Sequence, residues 1–425
     1  MKVYEQAVRA KEASYRLVTL SGEVRDRALR DIASSLDSAR DRVLEANAAD
    51  LKAASSANIA APLLKRLHLD NRKIDQMIAG VYDLSKLEDP IGKILFTMEL
   101  DSDLILHKQT VPIGLIGVIF ESRPDALVQI ATLCVKSGNA VILKGGTEAR
   151  ETNQVLFGIL RDSLETTHVS FRDVLQLVES RKDIGELLEL DELVDLVIPR
   201  GSSGLVRHIK QNTKIPVLGH AEGVCHLYID SEADLDMAVK ITYDAKCQYP
   251  AVCNALETLL IHEGLYEEFL NRLVPSMGEV ELRGDERARA VVPMKAADEA
   301  DWRSEYNDLV LAVRIVSTVE DGIEHINRYG SHHTDGIVTE NGKTAEFFMN
   351  RVDSSSVMWN CSTRFADGYR FGFGAEVGVS TNKIHARGPV GLEGLTIYKY
   401  KLYGKGQTVA PYVAGTRKFT HRRLV

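Results

Sequence analysis

The sequence has few cysteines and prolines, and it lacks the features of disulfide-bonded or exported proteins. It contains five cysteines and 11 prolines in 425 residues, and no cysteine pair has C-x-x-C spacing. An odd number of scattered cysteines argues against a disulfide framework or a zinc ribbon and favours a reducing compartment. No apolar run reaches the roughly 18 residues of a membrane span, and the N-terminus lacks the apolar core of a signal peptide. We therefore expect a cytoplasmic protein with no membrane partner.

Basic residues are also in the minority. The chain has 52 Lys and Arg against 60 Asp and Glu, a net charge of −8. Such a chain lacks the basic surface that a polyanion needs, so no nucleic-acid partner is expected. Its length and hydrophobic fraction of 44% allow several domains with well-formed cores.

The beginning and end of the chain show two different periodicities. From Val3 to about Leu87 apolar residues recur at helical spacing, with Ser21 as a candidate N-cap. Residues 94–110 alternate around an Asp-Ser-Asp turn and predict a β-hairpin, which invites pairing with another subunit. The tail 395–404 alternates again and is expected to pair with this hairpin.

Between these segments, two series of short apolar strands alternate with helices. The predicted strands are 113–120, 140–144, 174–178 and 194–199 in the first series, and 225–229, 256–261, 309–316, 335–339 and 355–359 in the second. Near-continuous apolar strands separated by helices indicate parallel sheets covered on both faces. The predicted fold class is α/β, with a doubly wound parallel-sheet domain followed by a second α/β domain.

Glycine and hydroxyl residues follow one strand of the first series. Gly201, Ser202 and Ser203 stand between an apolar strand and a helix, where backbone N–H groups and the helix dipole favour an anion. A simple capped helix start explains the same residues equally well. Lys144 ends another strand in LKGG and adds a cation at the edge where α/β sheets bind ligands, although a lone lysine there is usually just solvated.

Among the cysteines, only Cys253 has a setting that suggests a nucleophile. It follows a proline-containing turn and precedes a strand in YPAVCNALETLL, where a thiolate can attack an acyl carbon. A buried structural cysteine is the more frequent case for this residue type, and Cys134 and Cys225 are assigned to the core. The histidines show no ligand spacing, with His332 and His333 adjacent in a loop, so no metal site is predicted.

Four segments together carry a family resemblance. They resemble the gamma-glutamyl phosphate reductases of the aldehyde dehydrogenase superfamily, in order over nearly the whole chain: 111–146, 198–206, 249–260 and 362–395. The resemblance implies an aldehyde-dehydrogenase-like fold. It also implies a cofactor domain over 1–225, a catalytic domain over 226–360, and a segment 361–425 that completes the active site. The end of that segment and the hairpin 97–110 would form a small β oligomerisation element.

The same resemblance implies a reaction. It is the NADPH-dependent reduction of L-glutamyl 5-phosphate to L-glutamate 5-semialdehyde and phosphate through a thioester on Cys253, the second step of proline biosynthesis. Lys144 matches the superfamily lysine at the adenosine ribose, and Thr147 stands where NAD-preferring relatives often carry a glutamate, which favours NADPH.

Two departures from the superfamily pattern affect the chemistry. Ser122 occupies the place of the asparagine that supplies the second oxyanion donor, so that donor stays open. In LGHAEG, His220 and Glu222 stand where the superfamily has the glutamate that activates water. A missing water-activating base favours reduction over aldehyde oxidation, and the runner-up function is an ordinary aldehyde dehydrogenase. A non-catalytic α/β scaffold is the alternative of another class.

Two arginines are candidates for binding the anionic groups of the substrate. Arg123 lies at a strand end, and Arg364 lies in STRFADG near the active site of the superfamily. The competing interpretation is a structural ion pair, such as Arg364 with Asp367. No kinase domain precedes residue 1, so a separate glutamate 5-kinase would supply the acyl phosphate, in a transient complex. A homodimer or higher homo-oligomer is expected.

Overall fold

The computed structural model describes residues 2–59 and 61–424, which form two compact units. The first unit comprises Met1–Leu218, Phe373–Val377 and Val390–Val425, and the second comprises Gly219–Gly372 and Gly378–Pro389. The observed division after Leu218 precedes the predicted boundary after residue 225. The tail belongs to the first unit because it pairs with the hairpin there. The roles assigned to the three predicted segments stay predictions.

Five helices open the first unit, as the periodicity predicted: α1 (Lys2–Leu17), α2 (Gly22–Ser38), α3 (Arg40–Ser56), α4 (Ala61–Leu67) and α5 (Asn71–Lys86). The apolar stripe of α2 is fully buried at Ala28, Leu29 and Ile32. Ser21 is the N-cap residue of α2, although its side chain makes no capping bond. The predicted hairpin follows as the antiparallel pair β1 (Ile94–Asp101) and β2 (Leu104–Pro112).

A four-stranded parallel sheet forms the centre of the first unit. Its strands and connecting helices are β3 (Leu115–Phe120), α6 (Pro124–Lys136), β4 (Ala140–Lys144), α7 (Arg150–Thr167), β5 (Leu175–Leu177), α8 (Arg181–Leu188), β6 (Leu196–Arg200) and α9 (Ser203–Gln211). The strand order is β5-β4-β3-β6, and every pair is parallel. All residues of β3 and β4 are buried, which is why they read as unbroken apolar runs.

The second unit contains a seven-stranded parallel sheet. Its elements are β7 (Cys225–Ile229), α10 (Leu235–Cys247), β8 (Leu256–His262), α11 (Tyr266–Leu273), β9 (Glu281–Gly284), α12 (Glu286–Val291), β10 (Lys295–Ala296), β11 (Val310–Val316), α13 (Val319–Tyr329), β12 (Thr334–Val338), α14 (Gly342–Arg351) and β13 (Ser356–Trp359). The strand order is β10-β9-β11-β8-β7-β12-β13. All five predicted strands are confirmed. The short elements β9, α12 and β10 were not predicted.

The C-terminal segment returns to both units. The short pair β14 (Val379–Ser380) and β15 (Gly388–Pro389) belongs to the second unit. In the first unit, β16 (Thr396–Tyr403) pairs antiparallel with β2, which confirms the predicted contact between tail and hairpin. After α15 (Ala410–Val413), β17 (Arg422–Arg423) adds an unpredicted edge beside β1. No helix in the described part of the chain is long and apolar enough to cross a membrane.

Candidate active site

The loop that carries Cys253 is anchored at both ends. Lys246 on α10 and Glu257 on β8 form an ion pair at 2.7 Å between Nζ and Oε2, with both side chains fully buried. Burial raises the pKa of Glu257 to about 7, and Lys246 acts in the opposite direction. Because breaking one partner of such a pair costs about 3–5 kcal/mol, α10 and β8 are held together on either side of the loop.

The backbone of Cys253 is packed against the chain that leads into β7. A Cβ on Gly223 would lie 2.0 Å from the Cys253 carbonyl oxygen and 2.5 Å from its Cα. The Cys225 Sγ donates a hydrogen bond to the same carbonyl oxygen at 3.2 Å. Burial raises the pKa of the Cys225 thiol well above its ordinary range, so this thiol stays a neutral core donor, in line with its predicted place.

Two histidines lie beside the half-buried Cys253 thiol. The strands β8, β7 and β12 are neighbours in the sheet, and Cys253 and His333 precede the amino ends of β8 and β12. The Cys253 Sγ and one ring nitrogen each of His220 and His333 lie within 4.8 Å of one another. The histidines show no ligand spacing in the sequence, yet two of them lie together here. Strand order brings these residues together, and local spacing does not reveal that order.

The Arg364 guanidinium is buried and interacts electrostatically with Cys253. Burial lowers the pKa of Arg364 and Arg370 lowers it further, whereas the Cys253 thiolate favours its charged form. Its Nε donates to Gln248 Oε1 at 3.1 Å. The ion pair with Asp367 does not form, since Asp367 lies 3.7 Å from Arg370 instead. Within the described residues, Arg364 has no carboxylate partner.

Arg123, the second candidate for substrate binding, lies in the first unit. It is the N-cap residue of α6 and is half-buried. Its carbonyl accepts a hydrogen bond from Ala126 N at 3.0 Å. In the described ranges no carboxylate forms an ion pair with its side chain, so a substrate role remains a prediction for Arg123.

The start of α9 in the first unit holds an anionic group. Ser202 is the N-cap residue, and its backbone N–H donates to the Glu121 carboxylate at 2.7 Å. A Cβ on Gly201 would lie 2.3 Å from the same carboxylate oxygen. Ser203 is the first residue of the helix. These residues fit the phosphate group of a nucleotide, because the Ser202 N–H at this helix start already binds a carboxylate, which is also an anion.

A second carboxylate, which the sequence analysis missed, lies beside β4. Glu148 follows the exposed Thr147, and its Oε1 accepts both the N–H and the O–H of Ser122, at 2.7 and 2.6 Å. Both hydrogen-bond donors of Ser122 are therefore directed to Glu148, so Ser122 is not an available oxyanion donor in this structure. The backbone of Ser122 has a φ of +46°. Lys144 is buried at the end of β4, and its Nζ donates to Gly145 O at 2.6 Å.

The contact between Gly223 and Cys253 yields a prediction. In Gly223→Ala, the new Cβ must move by about an ångström to clear the Cys253 backbone, and such overpacking costs roughly 1–3 kcal/mol. We expect a lower thermal midpoint of unfolding and an altered rate of alkylation of Cys253, followed by peptide mass spectrometry. The control is Gly278→Ala, since a Cβ there meets no atom within 4 Å. Unchanged stability and reactivity in Gly223→Ala would show that the contact does not constrain the loop.

Comparisons with known proteins identify the family. Residues 2–309 match the aldehyde dehydrogenase family. A gamma-glutamyl phosphate reductase of Pelotomaculum thermopropionicum is 54% identical over 426 residues, covering 100% of this chain and 98% of the relative. The crystal structure of gamma-glutamyl phosphate reductase from Thermotoga maritima has a TM-score of 0.93 at 38% identity, covering 96% of this chain and 100% of that one. Glyceraldehyde-3-phosphate dehydrogenase from Methanocaldococcus jannaschii, solved with NADP, shares the fold at 16% identity and a TM-score of 0.67, covering 95% of this chain and 94% of that one. This chain therefore belongs to the aldehyde dehydrogenase family and, within it, to the gamma-glutamyl phosphate reductases.

Proposed function

We propose that this chain reduces L-glutamyl 5-phosphate to L-glutamate 5-semialdehyde with NADPH and releases phosphate, in the second step of proline biosynthesis. The observation that carries the proposal is the setting of Cys253. A half-buried thiol lies beside two imidazoles and interacts with a buried arginine that has no carboxylate partner among the described residues. Sequence identity of 54% to a gamma-glutamyl phosphate reductase over the full length of this chain supports the same substrate.

The Cys253 thiolate attacks the carbonyl carbon of the acyl phosphate. His220 accepts the thiol proton: its Nδ1 donates to Val379 O at 2.8 Å, which leaves the ring lone pair on Nε2. Collapse of the tetrahedral adduct breaks the carbon–oxygen bond to phosphate and leaves a thioester. The nicotinamide cofactor, when bound, supplies the hydride that reduces this thioester. The resulting thiohemiacetal then breaks its carbon–sulfur bond, releasing the aldehyde and restoring Cys253.

The tetrahedral species need donors for their oxyanion, each worth about 3–4 kcal/mol. The backbone N–H of Cys253 is one proposed donor. Ser122, the other predicted donor, would first have to leave Glu148. Its catalytic role is therefore proposed only for a state in which that contact is broken.

The cofactor-binding residues proposed for the first unit fall into two groups. Gly201, Ser202 and Ser203 would bind the phosphates of the cofactor in place of the Glu121 carboxylate. Lys144 and Thr147 would lie at the adenosine ribose. An uncharged Thr147 does not repel a 2′-phosphate, and this supports NADPH as the cofactor.

Assembly and supply of the substrate complete the proposal. The strand β16 exposes apolar and aromatic side chains, among them Ile397, Tyr398, Tyr400 and Leu402, which supports a homodimer or higher homo-oligomer formed through this element. A separate glutamate 5-kinase would deliver the unstable acyl phosphate in the cytoplasm through a transient complex.

The reverse reaction tests the proposal. The full chain is incubated with L-glutamate 5-semialdehyde, NADP and inorganic phosphate, and NADPH formation is followed by absorbance. We expect sustained NADPH formation only when phosphate is present, because phosphate must accept the acyl group from the thioester. Without phosphate, NADPH formation should stop after one equivalent per chain. Cys253→Ala should lower turnover at least ~10³-fold while NADP binding persists, and the half-buried thiol variant Cys361→Ser is the matched control.

Three outcomes would contradict this function. Rapid oxidation without phosphate would show that His220 or Glu222 activates water, as in an ordinary aldehyde dehydrogenase. Near-normal turnover in Cys253→Ala would exclude the thioester. Absence of all activity in the unmodified chain, with NADP bound, would favour a non-catalytic scaffold.

Arg364 is proposed to bind an anionic group of the substrate. Arg364→Lys keeps the charge and loses the planar donor array. The value of kcat/KM should therefore fall by the equivalent of roughly 1.5–3 kcal/mol of transition-state stabilisation, which is the contribution of a charge-assisted hydrogen bond. The dissociation constant of NADPH should stay unchanged. Arg272→Lys, at an exposed ion pair with Glu268, is the control and should match the unmodified enzyme. An unchanged kcat/KM, or an equal loss of cofactor affinity, would assign Arg364 a structural role.

A further inference from the structure

The cluster of Cys253, His220 and His333 has the composition of a transition-metal site. One thiol and two imidazoles present ligand atoms that lie within 4.8 Å of one another. The two imidazole rings meet edge to face, with centroids 4.6 Å apart. Sulfur and imidazole nitrogen are the ligands that Zn²⁺ prefers, whereas Mg²⁺ and Ca²⁺ require oxygen.

The buried face of this cluster contains an unpartnered ligand atom. His333 is 0% exposed, and its Nε2 makes no hydrogen bond with any described residue. A buried polar atom without a hydrogen-bond partner loses its hydration without compensation, and such atoms are rare in folded proteins. A cation bound at Nε2 would satisfy this atom, so His333 points to a ligand independently of the clustering.

The other ring nitrogens are already oriented as in known metal sites. His220 Nδ1 lies 2.8 Å from the Val379 carbonyl oxygen, and His333 Nδ1 lies 2.9 Å from Thr334 Oγ1. Histidines that bind a metal almost always use the second ring nitrogen to donate to such an oxygen, which fixes the tautomer and the ring plane. The Val379 carbonyl oxygen can only accept, so His220 has its lone pair on Nε2, whereas the Thr334 hydroxyl can either accept from or donate to His333 Nδ1.

The three ligand atoms need to move only slightly closer together to coordinate a metal ion. Zn–N and Zn–S bonds of about 2.0 and 2.3 Å place tetrahedral ligand atoms roughly 3.4–3.6 Å apart. Cys253 and His220 are only half-buried, so side-chain rotation can close the remaining ångström around a fixed His333. Three protein ligands leave a fourth position for water, as in open zinc sites.

We propose that Cys253, His220 and His333 form a reversible inhibitory site for Zn²⁺. Binding forms a Zn–S bond and breaks the S–H bond of Cys253, and the proton passes to the buffer. The metal then holds the electron pair that the thiolate would use against a carbonyl carbon. The site consists of the thiol and its neighbours, and its binding of metal does not depend on the identity of the acyl substrate.

Cobalt is the probe for this site because tetrahedral Co²⁺ with a thiolate ligand absorbs visible and near-ultraviolet light. The full chain is stripped with a chelator and titrated with Co²⁺ without substrate or cofactor. We expect one Co²⁺ per chain, a thiolate-to-cobalt charge-transfer band, and its loss when Zn²⁺ is added. Alkylation of Cys253 should slow in the presence of Zn²⁺ and recover with chelator.

Single-residue variants assign the ligands. Cys253→Ser should lose the charge-transfer band, and His333→Gln should weaken Co²⁺ binding by more than the ~10–100-fold typical of removing an outer hydrogen-bond partner. If His333→Gln does not fold, as circular dichroism would show, His220→Gln decides by the same criterion. Cys361→Ser is the control and should bind Co²⁺ like the unmodified chain. A folded chain without the band, or unchanged Co²⁺ affinity in Cys253→Ser or His220→Gln, would overturn the site even if the reductase activity were confirmed.

Discussion

The absence of a side chain at residue 223 is the constraint on which the surroundings of Cys253 depend. The chain entering β7 passes so close to Cys253 that a Cβ would lie 2.0 Å from its carbonyl oxygen. The Cys225 thiol donates to that same oxygen, and the buried pair of Lys246 and Glu257 holds the flanking elements. The backbone of Cys253, the proposed nucleophile, is therefore fixed by packing, and its position does not rely on a single side-chain contact.

This packing also determines what surrounds the sulfur. Because β8, β7 and β12 are adjacent and parallel, their amino ends place His220 and His333 beside Cys253. Arg364 contributes positive charge to the same environment. The proposed attack on an acyl phosphate and the proposed binding of a soft metal ion both use this sulfur and its neighbouring imidazoles. The proposed reactivity and the proposed susceptibility to Zn²⁺ thus have one physical origin.

The local sequence pattern predicted most of the helices and strands. The contacts that depend on the order of strands in the sheet could not be predicted from it. The buried strands β3 and β8 were readable because parallel strands covered on both faces are continuous apolar runs. The position of Cys253 after a proline-containing turn suggested a nucleophile. The family resemblance then favoured this hypothesis over the alternative of a buried structural cysteine. The histidine cluster was not readable, since His220 and His333 are more than 100 residues apart and meet only through strand order. The contact of Glu148 with Ser122 likewise depends on side-chain direction at neighbouring strand ends.

The central claim is that Cys253 carries the acyl group. The full chain is incubated with L-glutamate 5-semialdehyde and NADP without phosphate, quenched in acid and digested, and its peptides are analysed by mass spectrometry. If Cys253 carries the acyl group, its peptide gains the mass of one glutamyl group, and added phosphate removes it. NADPH formation with Cys253 unmodified, or with the glutamyl group on another residue, would exclude the thioester on Cys253.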